Sequence, residues 1–367
     1  MTKDPTKILT EPHDDDYQAL LAENRNLRRN LDKARMAESR AKDLQDELVD
    51  LEHRLEAMAR LEDATGRVTL PGWSKPKRRK SDWHGVAHLL LSDLHLDEVV
   101  DPSEVRGCNR YNRSIAEARI RRLRDKLHML RSDVFDIYTF DGCVVSLGGD
   151  LVSGSIHQEL AETNEGTTIE TCIHWAGILA ELLVACADLF GHVHCVVVVG
   201  NHGRYRPGKP RHKLRTVDNF DYLMSHMVRI ACDGDDRITW TIPESADARF
   251  DILGHRIMLT HGDQARGGYG IGGIFPPIMR MRAKKQAQLA AVGDGFDLLE
   301  LGHFHTPILG QGVLVNNTLK GQDEYGLLNG YETSEPAQFF GVFTAQHGLT
   351  FPTWLMVADA KKEGWAR

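Results

Sequence analysis

Short apolar runs, each followed by polar residues, recur from about residue 86 to the end of the chain. Because these runs are short and rich in β-branched residues, they predict buried strands; the runs are 86–91, 143–147, 195–199, 257–260 and 298–301. Shorter alternating runs predict further strands at 237–241, 250–253, 312–315 and 338–344. Longer periodic segments predict helices at 112–130, 167–190 and 214–231. This mixture predicts an α/β fold, arranged as an α/β/β/α two-sheet sandwich.

The first part of the chain has a different pattern. Residues 17–64 contain no proline or glycine, and apolar residues there alternate by four and three at Leu44, Leu48, Leu51, Leu55 and Met58. That spacing is typical of a coiled-coil seam. A single amphipathic helix lying on the domain that follows is the alternative, but charges on its remaining faces favour a projecting coiled coil. We expect residues 1–16 to be disordered and residues 17–64 to join copies of the chain into a homo-oligomer.

A flexible, basic linker is predicted between these two regions. Residues 65–82 contain Pro71, Gly72 and Pro76, and they carry a cluster formed by Lys75, Lys77, Arg78, Arg79 and Lys80. The cluster is either a solvated charged segment or a local grip on nucleic-acid phosphates. A domain from 83 to 367 follows.

Composition limits the possible settings. The net charge is −7, so any contact with nucleic acid must be local. The six cysteines have no paired metal spacing, and several lie in predicted strands, which favours free thiols and a cytoplasmic location. We expect no membrane span, because no apolar run approaches the length that one needs. The polar, acidic first sixteen residues predict no secretory signal.

Polar segments follow five of the predicted strands directly. They are Ser92-Asp93-Leu94-His95, Gly148-Gly149-Asp150, Gly200-Asn201-His202-Gly203-Arg204, His261-Gly262-Asp263 and Gly302-His303-Phe304-His305. Any one of them alone is a common turn. Ligand sites in α/β sheets form at the carboxyl ends of strands, so together they predict one site. Its oxygen and nitrogen donors suit Mn, Fe, Zn or Mg. By contrast, His192-Val193-His194 precedes its strand, and we interpret it as a loop or strand entry.

This series of motifs resembles the signature of the calcineurin-like metallophosphoesterases. The resemblance covers residue 83 to the end of the chain. Within it, Val315-Asn316-Asn317-Thr318-Leu319-Lys320-Gly321 followed by Asp323-Glu324-Tyr325 is similar to uncharacterised phage and prophage members. The resemblance implies a metallophosphoesterase-type sandwich, two divalent ions and hydrolysis of phosphoric esters.

The resemblance also implies a role for each matching residue. The first metal would be held by Asp93, His95 and His305, the second by Asn201, His261 and His303, and both by Asp150. An anionic bridge is physically reasonable, since it offsets the repulsion between two ions about 3.5–4 Å apart. His202 would act beside the metals as an acid or oxygen-binding group. Arg204 would grip a phosphate oxygen.

Two departures from the family pattern affect His202. Gly203 and Arg204 stand where many members have an acid, and Leu151, Val152 and Ser153 stand where many have a second aspartate. The group that orients His202 is therefore left open. Asp263 is one candidate, although a structural role for Asp263 is the preferred interpretation.

We expect an enzyme that hydrolyses nucleic-acid phosphodiesters with water activated by two divalent ions, Mn²⁺ preferred and Zn²⁺, Fe²⁺ or Mg²⁺ as alternatives. A phosphomonoesterase would use the same motifs. A catalytically inactive coiled-coil adaptor is the third possibility, and the complete set of ligands argues against it. Residues 264–289 begin glycine-rich and continue into a basic helix, which predicts either a mobile lid or a long surface insertion.

Overall fold

In the computed structural model, the described residues are 18–31, scattered positions from 33 to 49, 66–76, 83–206, 212–266, 273–332, 334–359 and 363. The chain divides into two compact units, Met1–Leu61 and Glu62–Arg367. In the first unit, residues 18–31 are helical and mostly exposed. The seam positions from Leu44 to Met58 lie outside the described residues, so the coiled coil stays a prediction.

The second unit contains a six-stranded sheet in the order β11-β10-β1-β2-β3-β4. Its strands are β1 (His84–Leu91), β2 (Thr139–Leu147), β3 (Val193–Val197), β4 (Ile238–Thr241), β10 (Ala337–Thr344) and β11 (Gly348–Met356). Strands β1 to β4 pair in parallel, whereas β10 runs antiparallel to β1 and β11 antiparallel to β10. The carboxyl ends of β1, β2 and β3 therefore lie at the same edge.

A second sheet has five strands in the order β5-β6-β7-β9-β8. They are β5 (Asp247–Ile252), β6 (His255–Thr260), β7 (Leu298–Leu301), β8 (Ile308–Gly310) and β9 (Val313–Val315). Strands β6, β7 and β9 are parallel, so β6 and β7 also end at one edge.

Helices pack on the outer faces of both sheets, and the described part of this unit contains six α-helices. They are α1 (Arg113–Met129), α2 (Gln158–Thr163), α3 (Thr168–Phe190), α4 (Phe220–Ala231), α5 (Phe275–Ala290) and the short α6 (Glu324–Leu328). One apolar cluster joins α1, α3 and α4 to the first sheet, and another joins α5 to the second. A third cluster lies between the sheets and includes Val86 and Phe339 on one side and Phe250 and Leu259 on the other. The domain is thus the predicted α/β/β/α sandwich.

Local sequence explains where the helices begin. Asn112 accepts a hydrogen bond from the backbone N–H of Ile115 at the start of α1. Thr167 and Glu170 form a reciprocal capping box at the start of α3. Asn219 accepts from the backbone N–H of Asp221 and begins α4. The predicted start of α4 at residue 214 was wrong, because Leu214 has a left-handed backbone with φ 56° and a turn precedes Asn219.

Two other predictions are corrected by the packing. The first part of the predicted flexible linker belongs to the core, because Val68 and Leu70 are buried in the cluster between the sheets. Helix α5 buries Ile278 and Met281 against the second sheet, so the helical half of 264–289 is a core layer and not a lid. Residues 267–272 lie outside the described residues. Helix α3 is long and apolar enough by length and composition to cross a membrane, and 56% of its most apolar window is buried inside the fold.

Polar contacts to Glu300 cross the apolar layer between the sheets. His88 of β1 lies 2.8 Å from Glu300 of β7 through its Nε2, while its Nδ1 donates to the backbone carbonyl of Val144 at 3.1 Å. Ser146 donates to the other carboxylate oxygen at 3.3 Å. All three side chains are buried. The described contacts satisfy both ring nitrogens of His88.

Candidate metal centre

The five motif segments meet where the carboxyl ends of the two sheets come together. The backbone N–H of Asp93 donates to Gly149, and that of His95 donates to Asp150, at 3.0 and 3.1 Å. Across the second sheet, Gly302 donates to His261 at 2.9 Å. These bonds join successive loops directly, so their side chains point into one crevice.

The crevice is lined by residues with unusual backbone conformations. Positive φ angles occur at Asp93 (53°), His95 (46°), Asp150 (50°), His303 (68°) and His305 (52°). For non-glycine residues such a conformation costs on the order of 1–3 kcal/mol each and persists only where the surroundings enforce it. A concentration of non-glycine residues with positive φ angles therefore marks a site whose backbone the rest of the fold holds in place.

Two positions in the motifs require glycine because there is no room for a side chain. A Cβ on Gly200 would strike the carboxylate of Asp150, and a Cβ on Gly302 would strike that of Asp93. The glycine in Gly-Asn-His and that in Gly-His-Phe-His therefore let each carboxylate lie against the neighbouring loop.

One group of donor atoms comes from Asp93, His95 and His305, whose nearest atoms all lie within 4.8 Å of one another. The Nε2 atoms of His95 and His305 face each other at 3.1 Å, and the Nε2 of His305 lies 3.4 Å from Asp93. Asp93 and His95 are fully buried, while His305 is part-exposed.

A second group comes from Asp150, His261 and His303, again within 4.8 Å. The Nε2 of His261 lies 2.9 Å from Asp150 and 3.2 Å from the side-chain oxygen of Asn201. The Nδ1 of His261 donates to the backbone carbonyl of Gly148 at 2.8 Å, which leaves Nε2 facing the crevice. The residues that the sequence analysis assigned to each metal are therefore brought together, Asn201 included, and their role as ligands stays a prediction.

The electrostatics suit cation binding. Burial opposes the charged form of Asp150, yet His261 and His202 hold its pKa well below the ordinary value. Burial, assisted by Lys320 and His202, lowers the pKa of His95 to about 4. Burial and the nearby His261 likewise lower the pKa of His303 to about 4. Neutral imidazoles and ionised carboxylates are the forms in which these side chains bind metal.

In the pair formed by His261 and Asp150, the pKa of the histidine is raised and not lowered. Burial alone would lower the pKa of His261, but Asp150 overrides it and raises the pKa to about 10. Carboxylates and imidazoles whose donor atoms converge within a few ångströms are a good fit to divalent ions with mixed oxygen and nitrogen ligands.

His202 lies at the edge of the first group, with its ring centroid 4.5 Å from that of His95. Its Nδ1 donates to the backbone carbonyl of Ser153 at 2.8 Å, and its backbone N–H donates to Asp150 at 2.7 Å. The orienting group that the sequence left open is thus a carbonyl. Sequence reasoning missed it because any residue at 153 supplies a carbonyl.

Asp263 does not orient His202. It accepts two hydrogen bonds from Arg215, at 2.7 and 2.9 Å, which agrees with the preferred structural interpretation. Arg204 is placed beside the site, since its Nε donates to the backbone carbonyl of Asn201 at 3.0 Å.

Asp221 is a positioning residue that the sequence analysis missed. It is fully buried at the start of α4, and one carboxylate oxygen accepts from the backbone N–H groups of Asp150 and Gly200, at 2.9 and 2.8 Å. The other accepts from Leu151 at 3.0 Å. Asp221 thereby joins the Gly-Asp loop to the Gly-Asn-His loop. No local signal distinguishes it from an ordinary helix-start aspartate.

The segment 315–321 also supports the site. Asn316 donates to Leu90 and Ser92, at 3.0 and 3.1 Å, and Thr318 donates to the backbone carbonyl of Asp93 at 2.8 Å. These bonds hold the start of the Asp-Leu-His loop against the segment 315–321. The resemblance of this segment to phage and prophage members stays a prediction, while its local role is explained by these contacts.

Comparison with known proteins gives distant likenesses. No protein-family model matches the chain, and no curated protein matches it significantly. Among solved structures, a single mutant of Vps29 from Entamoeba histolytica is 14% identical and matches over 73% of this chain and 99% of that chain, with a TM-score of 0.30.

Two further structures are similar at the same level. Vacuolar Protein Sorting 29 from Cryptosporidium parvum is 13% identical over 70% of this chain and 85% of that one, with a TM-score of 0.28. A predicted phosphoesterase from Streptococcus pneumoniae is 12% identical over 74% and 97%, with a TM-score of 0.26.

Proposed function

We propose that this chain is a two-metal phosphoesterase that hydrolyses phosphodiesters of nucleic acid. The observation that supports the proposal is the convergence of two donor groups, Asp93-His95-His305 and Asp150-His261-His303, on one crevice. A third group, His95-Asp150-His202, connects them. Donors from five separate loops, among them the buried Asp93, Asp150 and His261, have no structural need to meet in this way.

The residues of the two donor groups would bind different ions. Asp93, His95 and His305 would hold one ion, Asn201, His261 and His303 a second, and Asp150 both. Two bound divalent ions would polarise phosphoryl oxygens and activate water.

His202 is placed to move a proton. A backbone carbonyl only accepts hydrogen bonds, so the Nδ1 of His202 carries a hydrogen toward Ser153, and Nε2 is left for the substrate. A protonated Nε2 would donate to the leaving oxygen. Arg204, held through its Nε by Asn201, would present its terminal N–H groups to a non-bridging oxygen.

The choice of nucleic acid as substrate rests on the basic linker. Lys75, Lys77, Arg78, Arg79 and Lys80 immediately precede the catalytic domain, and their charges would pair with a phosphate backbone. Helix α5 adds less positive charge for binding nucleic acid than its sequence suggested, because two of its basic side chains have partners within the domain. Lys285 is paired with Asp247 at 2.5 Å, and Arg282 donates to the carbonyl of Gly312 at 3.2 Å.

The proposal is tested by comparing substrates in the presence of Mn²⁺, with a chelator as control. We expect faster hydrolysis of bis(p-nitrophenyl) phosphate than of p-nitrophenyl phosphate, and cleavage of defined DNA or RNA. A preference for the monoester would favour a phosphomonoesterase. Bound metal with no hydrolysis of any ester would favour the inactive adaptor. Parallel titrations with Zn²⁺, Fe²⁺ and Mg²⁺ would identify the best-supported ion.

We also propose that residues 17–64 form a homo-oligomer. An oligomer would carry several basic linkers and active sites. Once one linker has bound a long nucleic acid, the effective concentration of the others near that polymer would be high, whereas a small ester can occupy only one site. Removing the residues before 66 should lower the mass measured by light scattering and weaken cleavage of long nucleic acid at low salt. The small diester should be hydrolysed as before. A monomeric full-length protein would contradict the proposal.

A further inference from the structure

The two buried histidines that direct Nε2 into the crevice are held in different ways. The Nδ1 of His261 donates to a backbone carbonyl. The Nδ1 of His95 instead lies 3.1 Å from the Oε2 atom of Glu98, one turn further along the chain. The backbone can fix His261 whatever side chains surround it, whereas at His95 the group beside Nδ1 is a side-chain carboxylate.

Glu98 is itself held firmly. Its Oε1 accepts from the Nζ of Lys320 at 2.6 Å, and Lys320 donates as well to Asp323 at 2.5 Å. The side chains of Glu98 and Lys320 are only 4% and 3% exposed. A charge-assisted bond between two buried groups fixes the carboxylate more rigidly than solvent contact would.

The same carboxylate reaches the second functional histidine. The hydroxyl of Ser153 lies 3.3 Å from the Oε2 of Glu98 and 2.9 Å from the side-chain oxygen of Asn164, and the backbone carbonyl of Ser153 accepts from the Nδ1 of His202. Glu98 therefore lies between a predicted metal ligand and the predicted proton donor.

We propose that Glu98 is a positioning residue, held by Lys320, that fixes the ring of His95 so that Nε2 faces the metal. The inference rests on the proposed function, because it requires that His95 binds a metal. A carboxylate on the outer nitrogen of a ligating histidine fixes the tautomer and raises the basicity of the ligand, and its loss typically weakens metal binding about 10–100-fold.

The experiment measures the apparent Kd for Mn²⁺ by isothermal titration calorimetry on the full chain. Glu98→Gln keeps the shape of the side chain and leaves Lys320 paired one-to-one with Asp323, so the fold should persist. We expect Mn²⁺ binding weaker by about 10–100-fold. Asp323→Asn is the matched control, since it removes the same charge from the same buried group without touching His95. Its Kd should change much less than that of Glu98→Gln, because Asp323 contacts Lys320 and not a ring nitrogen of His95.

A charge-conserving variant guards against misfolding and against a purely electrostatic explanation. Glu98→Asp retains the negative charge but is too short to reach both Lys320 and His95, so Mn²⁺ binding should again weaken. Thermal melts of the metal-free variants show which are folded.

The outcomes separate the two proposals. Equal losses in Glu98→Gln and Asp323→Asn, or wild-type affinity in Glu98→Gln or Glu98→Asp, would overturn the positioning role while the metal centre stands. Absence of Mn²⁺ binding by the wild type would overturn the proposed function together with this inference.

Discussion

Two buried histidine–carboxylate pairs in this domain have nearly the same geometry but different surroundings. His88 lies 2.8 Å from Glu300 between the sheets, and His261 lies 2.9 Å from Asp150 at their edge. Both histidines donate Nδ1 to a backbone carbonyl. Distance and burial therefore do not distinguish a structural pair from a functional one.

The difference lies in what else reaches each carboxylate. Glu300 is contacted by His88 and by the hydroxyl of Ser146, which donates to it. Asp150 instead shares its donor groups with several histidines, namely His95, His202, His261 and His303. Several histidine nitrogens that converge on one buried carboxylate form a costly arrangement of polar groups unless a cation completes it.

The largest expected effect is at Asp150. Asp150→Asn removes the only carboxylate that both donor groups can share among the described residues, so both ions should be lost and hydrolysis should fall to background. Metal analysis after gel filtration measures the first effect and the diester assay the second. Wild-type occupancy of both ions in this variant would disprove the bridging assignment.

The next effect separates chemistry from binding at His202. His202→Ala should leave the metal content unchanged and lower kcat by about 10²–10⁴-fold, the usual contribution of an acid–base group. The loss should be smaller for nitrophenyl esters, whose leaving oxygen needs little protonation. His157→Ala is the control, because the ring of His157 lies 6.3 Å from that of His202 and outside every donor group among the described residues.

An equal loss for poor and good leaving groups would change the interpretation of His202. It would show that the side chain holds phosphoryl oxygens and does not transfer a proton. A loss of metal in His202→Ala would make it a ligand instead, as its membership of a donor group allows.

Much of the sandwich could be predicted from the sequence. The five strands that carry the motifs are all present, and their carboxyl ends lie where expected except in β3, which ends two residues early at Val197. The edge strands β8 and β11 were missed. Strand β11 has a bulge against β10 and a left-handed Phe351, so its alternation is interrupted.

The supporting residues of the site could not be predicted. Asp93 and Asp97 are neighbours in the sequence and are both buried, but Asp97 is fully occupied by donors from Arg113, Thr171 and Trp175. Those donors come from helices distant in the sequence. Glu98, Asp221 and Lys320 likewise act through contacts that only the folded chain creates, so local patterns carry no signal for them.

A third prediction tests the structural pair directly. Glu300→Gln should leave both ions bound but lower the free energy of unfolding by about 1–3 kcal/mol, because it weakens a buried hydrogen bond to a charged group. Urea denaturation measures the loss. Glu117→Gln is the surface control, since Glu117 pairs with Arg121 and His174 at part-exposed positions; it should change stability by less than about 0.5 kcal/mol. Loss of metal in Glu300→Gln would show that the two pairs are coupled.

The smallest expected effect concerns a third buried histidine, His194, whose neighbours are hydroxyls. Its ring nitrogens lie 2.7 and 3.0 Å from the hydroxyls of Thr239 and Thr241, and burial lowers its pKa to about 4. The unfolded chain binds a proton near pH 6.5, whereas the folded chain does not until about pH 4. The stability that His194 contributes is therefore complete above about pH 6.5 and is lost as the pH falls toward 4.

Comparison with His194→Gln isolates this effect. Between pH 7.5 and 5.5, the wild type should lose about 1 kcal/mol more than the variant, as linkage with a pKa lowered by burial requires. Denaturation in chelator at both pH values measures the difference, and the metal-site histidines cancel because both proteins contain them. Parallel pH dependence of the two proteins would mean that the hydroxyls accommodate a charged ring, and that neutrality at His194 is not enforced by burial.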